Sequence, residues 1–348
     1  MDLGYLNSRI RAWMGELLQE EFYDGLLHAE DLDALINRLR ETVYARDIEI
    51  AMSRFKEGRE IVEGGLRGNL IRAFSRLWEY APPPARPLLK AIFSVWEVYN
   101  LKAIIRARER GVHPSESISI LIPIGEMDES ALKELNSQSD VVEILDLLSA
   151  WGSPYAKPIK GVLEQYRRER HLLILEIALD RFLHDYCLTI AVEDRINRKI
   201  MEGFIRNRID AVNIATLLKL SGEEFAPHDS ILFFIEGGER IDRDSFSRLS
   251  GSKDRAGLLE GLRDTIKDER WKRVVGSTDP EEAFLLEERL EDLIEGDVCR
   301  LSIIEPSSIS LAICFIYRKI REVKNLRLLA RGKIFNIPPF ELKQYMII

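Results

Sequence analysis

A short pattern occurs three times along this chain at nearly even intervals: Glu97-Val98-Tyr99-Asn100-Leu101, Asp210-Ala211-Val212-Asn213-Ile214 and Glu322-Val323-Lys324-Asn325-Leu326. From Asn100 to Asn213 is 113 residues, and from Asn213 to Asn325 is 112. In 348 residues that step implies three copies of one supersecondary unit, which bury their apolar faces by stacking. The match extends further. An offset of 113 pairs Pro114 with Pro227, Gly125 with Gly238 and Glu126 with Glu239. An offset of 112 pairs Glu176 with Glu288, Asp180 with Asp292, Asp185 with Asp297, Cys187 with Cys299 and Arg206 with Arg318. The copies are expected at 1–112, 113–226 and 227–348, the first being the most divergent, as terminal repeats often are.

The apolar spacing inside the copies is helical. Leu6, Ile10, Trp13, Met14 and Leu17 form a stripe at steps of three and four, and Asp31 offers a cap for a helix through Leu35 and Leu39. A helix over 59–80 ends at Pro82-Pro83-Pro84, and one over 87–108 is stopped by Gly111 and Pro114. The second copy predicts helices over 160–191 and 196–220, the third over 280–294 and 309–331 with Gly332 as the stop. Two runs, 117–123 and 231–235, look strand-like and read as extended connectors ahead of the paired Gly-Glu. They are too few for a sheet-based fold, so the class is all-α.

Composition narrows the function. The chain is 31% charged and 46% hydrophobic with a net charge of −8, a globular balance that argues against a dedicated nucleic-acid binder. No secretory leader is evident, and apolar runs such as 172–177 fall far below the ~20 residues that span a bilayer. Cys187, Cys299 and Cys314 lack CxxC spacing and are expected to be buried, reduced thiols.

No motif calls for a cofactor. There is no GxxxxGK[ST] and no GxGxxG, and Gly64-Gly65 with Gly68 and Gly237-Gly238 suit helix packing or a turn. Asp180, His184 and Asp185 could supply metal ligands for a helical hydrolase, but the other histidines (His28, His113, His171, His228) are scattered and none forms HExxH. A solvated acidic face accounts for the cluster better. The repeated Asn100, Asn213 and Asn325 matter more, because asparagine is a mediocre helix former and a mid-helix copy needs a use for its amide. That use is either a polar contact inside each repeat or contact with a partner, and the first is preferred. Between Tyr317 and Lys333 stand seven basic residues (Arg318, Lys319, Arg321, Lys324, Arg327, Arg331, Lys333) against the single acid Glu322. With few aromatics for base stacking beside it, this run is expected to meet an acidic protein surface.

Taken in order, several stretches resemble the C subunit of archaeal and bacterial V/A-type ATPases, the counterpart of the eukaryotic d subunit. They are Tyr5-Leu6-Asn7-Ser8-Arg9-Ile10-Arg11, Glu41-Thr42-Val43-Tyr44, the stretch from Tyr99 to Ala107, Gly237-Gly238-Glu239 before Asp242, Ile304-Glu305-Pro306, the stretch from Ile316 to Lys333, and Asn336-Ile337-Pro338. The resemblance implies a funnel of three similar helical domains with pseudo-threefold symmetry. It implies a non-catalytic rotor component, peripheral on the cytoplasmic side of the membrane. Its expected partners are the D and F subunits of the central shaft and the membrane proteolipid ring, with no nucleic acid. Asn100, Asn213, Asn325, Arg318, Arg321, Glu322, Arg327 and Arg331 are the candidate interaction residues. A helical-repeat adaptor unrelated to a rotary motor is the alternative.

Overall fold

The structure is a computed structural model that describes residues 2–190, 194–221 and 230–346. The expected boundary at 226–227, Pro227 and His228 lie outside the described residues. Among those described there is no strand, only an isolated antiparallel bridge between Ile124 and Met127; the chain is all-α.

A short helix, α1 (Gly4–Gly15), opens the chain. The order of elements then recurs three times as three short helices followed by two long ones. The first round is α2 (Glu20–Leu27), α3 (Leu32–Leu39), α4 (Ala45–Arg54), α5 (Gly58–Tyr80) and α6 (Arg86–Glu109). After a single turn, α7 (Pro114–Ser117), the second is α8 (Glu129–Asn136), α9 (Val141–Ala150), α10 (Ala156–Glu169), α11 (Leu172–Thr189) and α12 (Arg195–Leu220). The third is α13 (Arg243–Ser250), α14 (Arg255–Thr265), α15 (Glu269–Gly276), α16 (Leu286–Ile304) and α17 (Ser310–Ile334), and α18 (Pro339–Tyr345) follows. Aspartate caps start several of the short helices: Asp31, Asp128, Asp140, Asp242 and Asp254 each accept a hydrogen bond from a first-turn amide, worth about 1 kcal/mol apiece.

Several sequence expectations need correction. The pattern over 160–191 is two helices, because Arg170 takes a left-handed φ of 54° between α10 and α11. The strand-like runs begin instead as 3₁₀ turns at Ile118–Ile120 and Ile231–Phe233. Residues 280–285 are also 3₁₀. Gly332 does not stop the last long helix. It lies inside α17, where a Cβ would collide with Leu342 of α18, and the chain turns at Asn336 with φ 52°. Of the three cysteines only Cys187 is a free thiol, buried and pushed up to about 12 by loss of solvent. Cys299 and Cys314 are disulfide-bonded, not reduced.

The chain divides into two compact units, Met1–Gln138 with Leu311–Ile348, and Ser139–Ser310. In the first, α4 packs on α5, and Gly65 lets them approach so closely that a Cβ there would strike Ile48. Leu35, Ile48, Leu66 and Leu70 are fully buried, each contributing about 2 kcal/mol of transfer free energy. Trp13 of α1 and Trp96 of α6 pack on Phe315 and Tyr317 of α17, with ring centroids 5.9 and 5.1 Å apart. In the second unit α12 packs on α16 and α10 on α11. Phe234 meets Phe246 at 5.2 Å, and Trp271 is fully buried.

Candidate functional site

Each repeated Glu/Asp-x-x-Asn sits on the second long helix of its round, with the acid one turn before the asparagine. In α6, Asn100 is fully buried. Its Nδ2 donates to the Ile122 carbonyl at 2.7 Å, and its Oδ1 accepts the Ile122 amide at 2.8 Å. The carboxamide thus pairs with a connector residue as a neighbouring strand would, satisfying backbone groups that lie away from water. Glu97 Oε1 accepts the Glu126 amide at 2.7 Å. Between them Gly125 has φ 61°, and a Cβ there would run into the Glu97 carboxylate. The glycine is needed for conformation and for close approach. A third fastening comes from α5, where Arg67 Nη1 donates to the carbonyls of Ile118 and Leu121 at 2.9 and 3.3 Å.

The same clamp is rebuilt in the second unit. Asn213 pairs in both directions with Ile235 at 2.9 Å, and Arg181 of α11 donates to the carbonyls of Leu232 and Phe234. Asp210 accepts the amides of Glu239, Arg240 and Ile241 at 3.0–3.3 Å. Gly238 lies so close to Asp210 that a Cβ would collide with its carboxylate, while Gly237 carries the positive φ of 104°. This clamp adds a cation. Arg240 donates to Asp210, Asn207 and Asp268 at 2.8–3.0 Å, and its guanidinium lies 4.1 Å from the Trp271 ring centroid. Burial pushes the Asp210 carboxyl above its usual range, against the pull of its amide and guanidinium donors.

The third clamp, on α17, differs in what it grips. Glu322 Oε2 accepts the amide of Leu18, near the start of the chain, at 2.6 Å. Its Oε1 accepts the Tyr44 hydroxyl and the Lys319 ammonium, both at 2.6 Å. Lys319 also donates to the Tyr44 oxygen at 2.9 Å and lies 4.3 Å from that ring's centroid. Asn325 bonds the hydroxyl of Tyr23. Burial lowers the Lys319 ammonium from its ordinary value although Glu322 opposes this, and burial together with Glu322 holds the Tyr44 phenol well above its own. The second and third clamps thus share an acid, a cation and an aromatic face, drawn from different positions.

The basic run of α17 is spent largely inside the first unit. Lys319 is buried at 3% exposure. Arg327 makes a two-pronged pair with Glu63 at 2.6 and 3.1 Å, Arg331 donates to Ser119 at 2.9 Å, and Lys333 donates to the carbonyls of Leu27 and Ala29 at 2.7 and 2.6 Å. Arg318, Lys324 and Arg331 are exposed and Arg321 is half-buried. Asp180 and His184 are buried whereas Asp185 faces outward, so the cluster is not the solvated acidic face expected from the sequence. Among the described residues no group of three or more His, Cys, Asp or Glu could hold a metal ion.

Sequence reading missed Arg67, Arg181, Tyr44 and Arg240 as parts of the clamps. Arg67 and Arg181 do stand 114 residues apart, close to the repeat step. Arg240 takes the place of Met127, one residue past the paired glutamates, so the repeat hid it.

This is a helical-repeat protein whose repeated residues fasten its own connectors, and among the described residues no helix is long and apolar enough to cross a membrane. A family model described as the ATP synthase (C/AC39) subunit matches residues 6–345. The chain belongs to that family. The C subunit of the A-type ATP synthase of Methanothermobacter thermautotrophicus is 28% identical over 332 residues, covering 94% of this chain and 83% of that protein. Those of Methanocaldococcus jannaschii and Archaeoglobus fulgidus are each 26% identical, covering 99% of this chain and 86% and 96% of theirs.

Proposed function

We propose that this chain is the non-catalytic central-stalk component of a V/A-type rotary ATPase. In this reading three similar helical domains, 1–112, 113–226 and 227–348, form a funnel with pseudo-threefold symmetry. The funnel receives the D and F subunits of the central shaft and rests on the membrane proteolipid ring, on the cytoplasmic side. It turns with the rotor and couples ATP hydrolysis or synthesis to proton or sodium ion transport without a cofactor or catalytic residue of its own. The observation that carries this reading is the family match over residues 6–345, together with relatives named as the C subunit of A-type ATP synthase.

The clamps supply a physical rationale. A joint that passes torque needs broad complementary surfaces on walls that do not yield. Asn100, Asn213, Asn325 and Glu322 stiffen such walls by tying helix to connector, and Arg327 and Arg331 brace them from behind. The exposed Arg318 and Lys324, with Arg321 beside them, are the part of the basic run that meets an acidic neighbour. Affinity purification of the tagged chain from native membranes tests the proposal. Catalytic head subunits and a proteolipid should be recovered with it; soluble partners alone would favour the adaptor alternative and sink the rotor reading.

A further inference from the structure

The repeat is its own control on what the fold requires. Phe93 of α6 stands seven residues before Asn100, and the same place before Asn213 and Asn325 holds Arg206 and Arg318, both exposed. On the connector, Pro123 and Ile124 stand where the second round has Glu236 and Gly237. Arg206 lies 3.7 Å from Glu239. The first round keeps the matching ion pair by drawing its cation from Lys90, one turn earlier on α6, which meets Glu126 at 2.5 Å. The place so freed goes to Phe93. Since the clamp forms with either set of residues, the apolar set is not needed to build it.

With Phe74 and Trp78 of α5, these residues line a cleft of about 530 Å³, inside the range of about 300–1,000 Å³ usual for binding sites. Both rings of α5 lie 6.3 Å from that of Phe93. Phe74 and Phe93 are buried, but Trp78 is 39% exposed, so a buried aromatic base carries an indole that reaches solvent. Charge around it is one-sided. Among the described residues lining the cleft, four are acidic (Glu79, Glu97, Glu126 and Asp128) and one, Lys90, is basic. Glu79 and Asp128 are exposed.

We infer that this cleft is a docking site for the apolar face of a basic amphipathic helix from a partner protein. Such a helix presents large apolar side chains at three- and four-residue spacing with cations on its flanks. The apolar side chains would cover Phe93, Ile124 and the Trp78 ring, and aromatic residues of this kind carry most of the energy at interfaces. The cations would meet Glu79 and Asp128. The same acids repel an acidic segment and an anionic bilayer, so charge selects the partner as well as attracting it. Nothing in the cleft requires the rotor reading.

Titration of the full chain with a leucine/lysine amphipathic peptide of about 15 residues tests it, beside a leucine/glutamate peptide with the same apolar face. The leucine/lysine peptide should bind at least about tenfold more tightly and shift the Trp78 indole N–H resonance, assigned with Trp78→Phe. Phe93→Arg installs the residue of the other two rounds. It should fold with a similar thermal midpoint and weaken leucine/lysine binding by about tenfold or more. Phe284→Arg, at a residue of the second unit that is 72% exposed, should leave binding unchanged. Equal affinity of Phe93→Arg and the unmodified chain overturns the inference. So does equal binding of the two peptides, a leucine/lysine peptide that binds without moving the Trp78 resonance, or one that does not bind. Should Phe93→Arg fail to fold, Trp78→Ala makes the same comparison at an exposed ring.

Discussion

The second and third clamps begin from the same acid-x-x-Asn turn and end as different devices. Around Asp210 the gripped connector follows closely in the chain, backbone amides supply most of the donors, and Arg240 closes the carboxylate from the connector side. Around Glu322 one backbone amide is gripped, and the remaining donors are side chains, Lys319 and Tyr44. Both carboxylates accept charge-assisted hydrogen bonds. The difference is in their source: mainly backbone amides of the nearby connector at Asp210, mainly side chains at Glu322, where the gripped segment comes from far along the chain.

The largest test of this contrast is Lys319→Met, which leaves the Glu322 carboxylate buried without its cation. It should destabilise the chain by about 4 kcal/mol, read as a lowered urea midpoint with an unchanged slope. Next, Asn213→Ala strands the amide and carbonyl of Ile235 in the interior. A loss of about 3 kcal/mol is expected, and Asn100→Ala should match it; a loss below about 1 kcal/mol at either site would mean the two-way pairing does not fasten the connector. Gly125→Ala forces a left-handed residue against Glu97 and should cost about 2 kcal/mol, whereas alanine at Gly161, which meets nothing within 4 Å, should be neutral or stabilising.

The third clamp also carries a pH signature. Burial and Glu322 hold the Tyr44 phenol well above its ordinary 10.0, so the unfolded chain ionises this group first. Its contribution is whole below about pH 10 and declines as pH rises toward the raised value. The stability difference between the unmodified chain and Tyr44→Phe should therefore narrow above about pH 10, by about 1.4 kcal/mol per pH unit. A constant difference between about pH 9 and 11 would place the ionisation elsewhere. The smallest effect is on the surface. Arg318→Glu should change stability by less than about 0.5 kcal/mol while reducing recovery of the assembled complex, since this side chain is exposed.

Much of this architecture was legible in the sequence. Helical periodicity placed α5, α6, α12 and α17 to within a few residues, because an amphipathic stripe of about twenty residues leaves little freedom in its period. It merged α10 with α11 and set α16 at 280–294, where the helix runs Leu286–Ile304. Short elements were harder: 117–123 carries isoleucines at alternate positions, a strand signature, yet turns as 3₁₀ beside the Arg67 guanidinium. Gly332 looked like a helix stop because glycine is read by local propensity. Its role is to admit Leu342, a contact that local sequence does not contain. Arg327 and Arg331 looked like free charge for the same reason, since Glu63 and Ser119 lie hundreds of residues away along the chain.

The 112-residue recurrence, the all-α class and the need for Asn100, Asn213 and Asn325 to spend their amides follow from the sequence alone. Periodicity and the poor helix propensity of asparagine are local properties that need no partner. What each asparagine and acid spends itself on was decided by tertiary structure. Pairing across 22, 29 or 304 residues depends on which segments packing brings together, and a one-dimensional repeat cannot say that its third copy closes on the beginning of the chain.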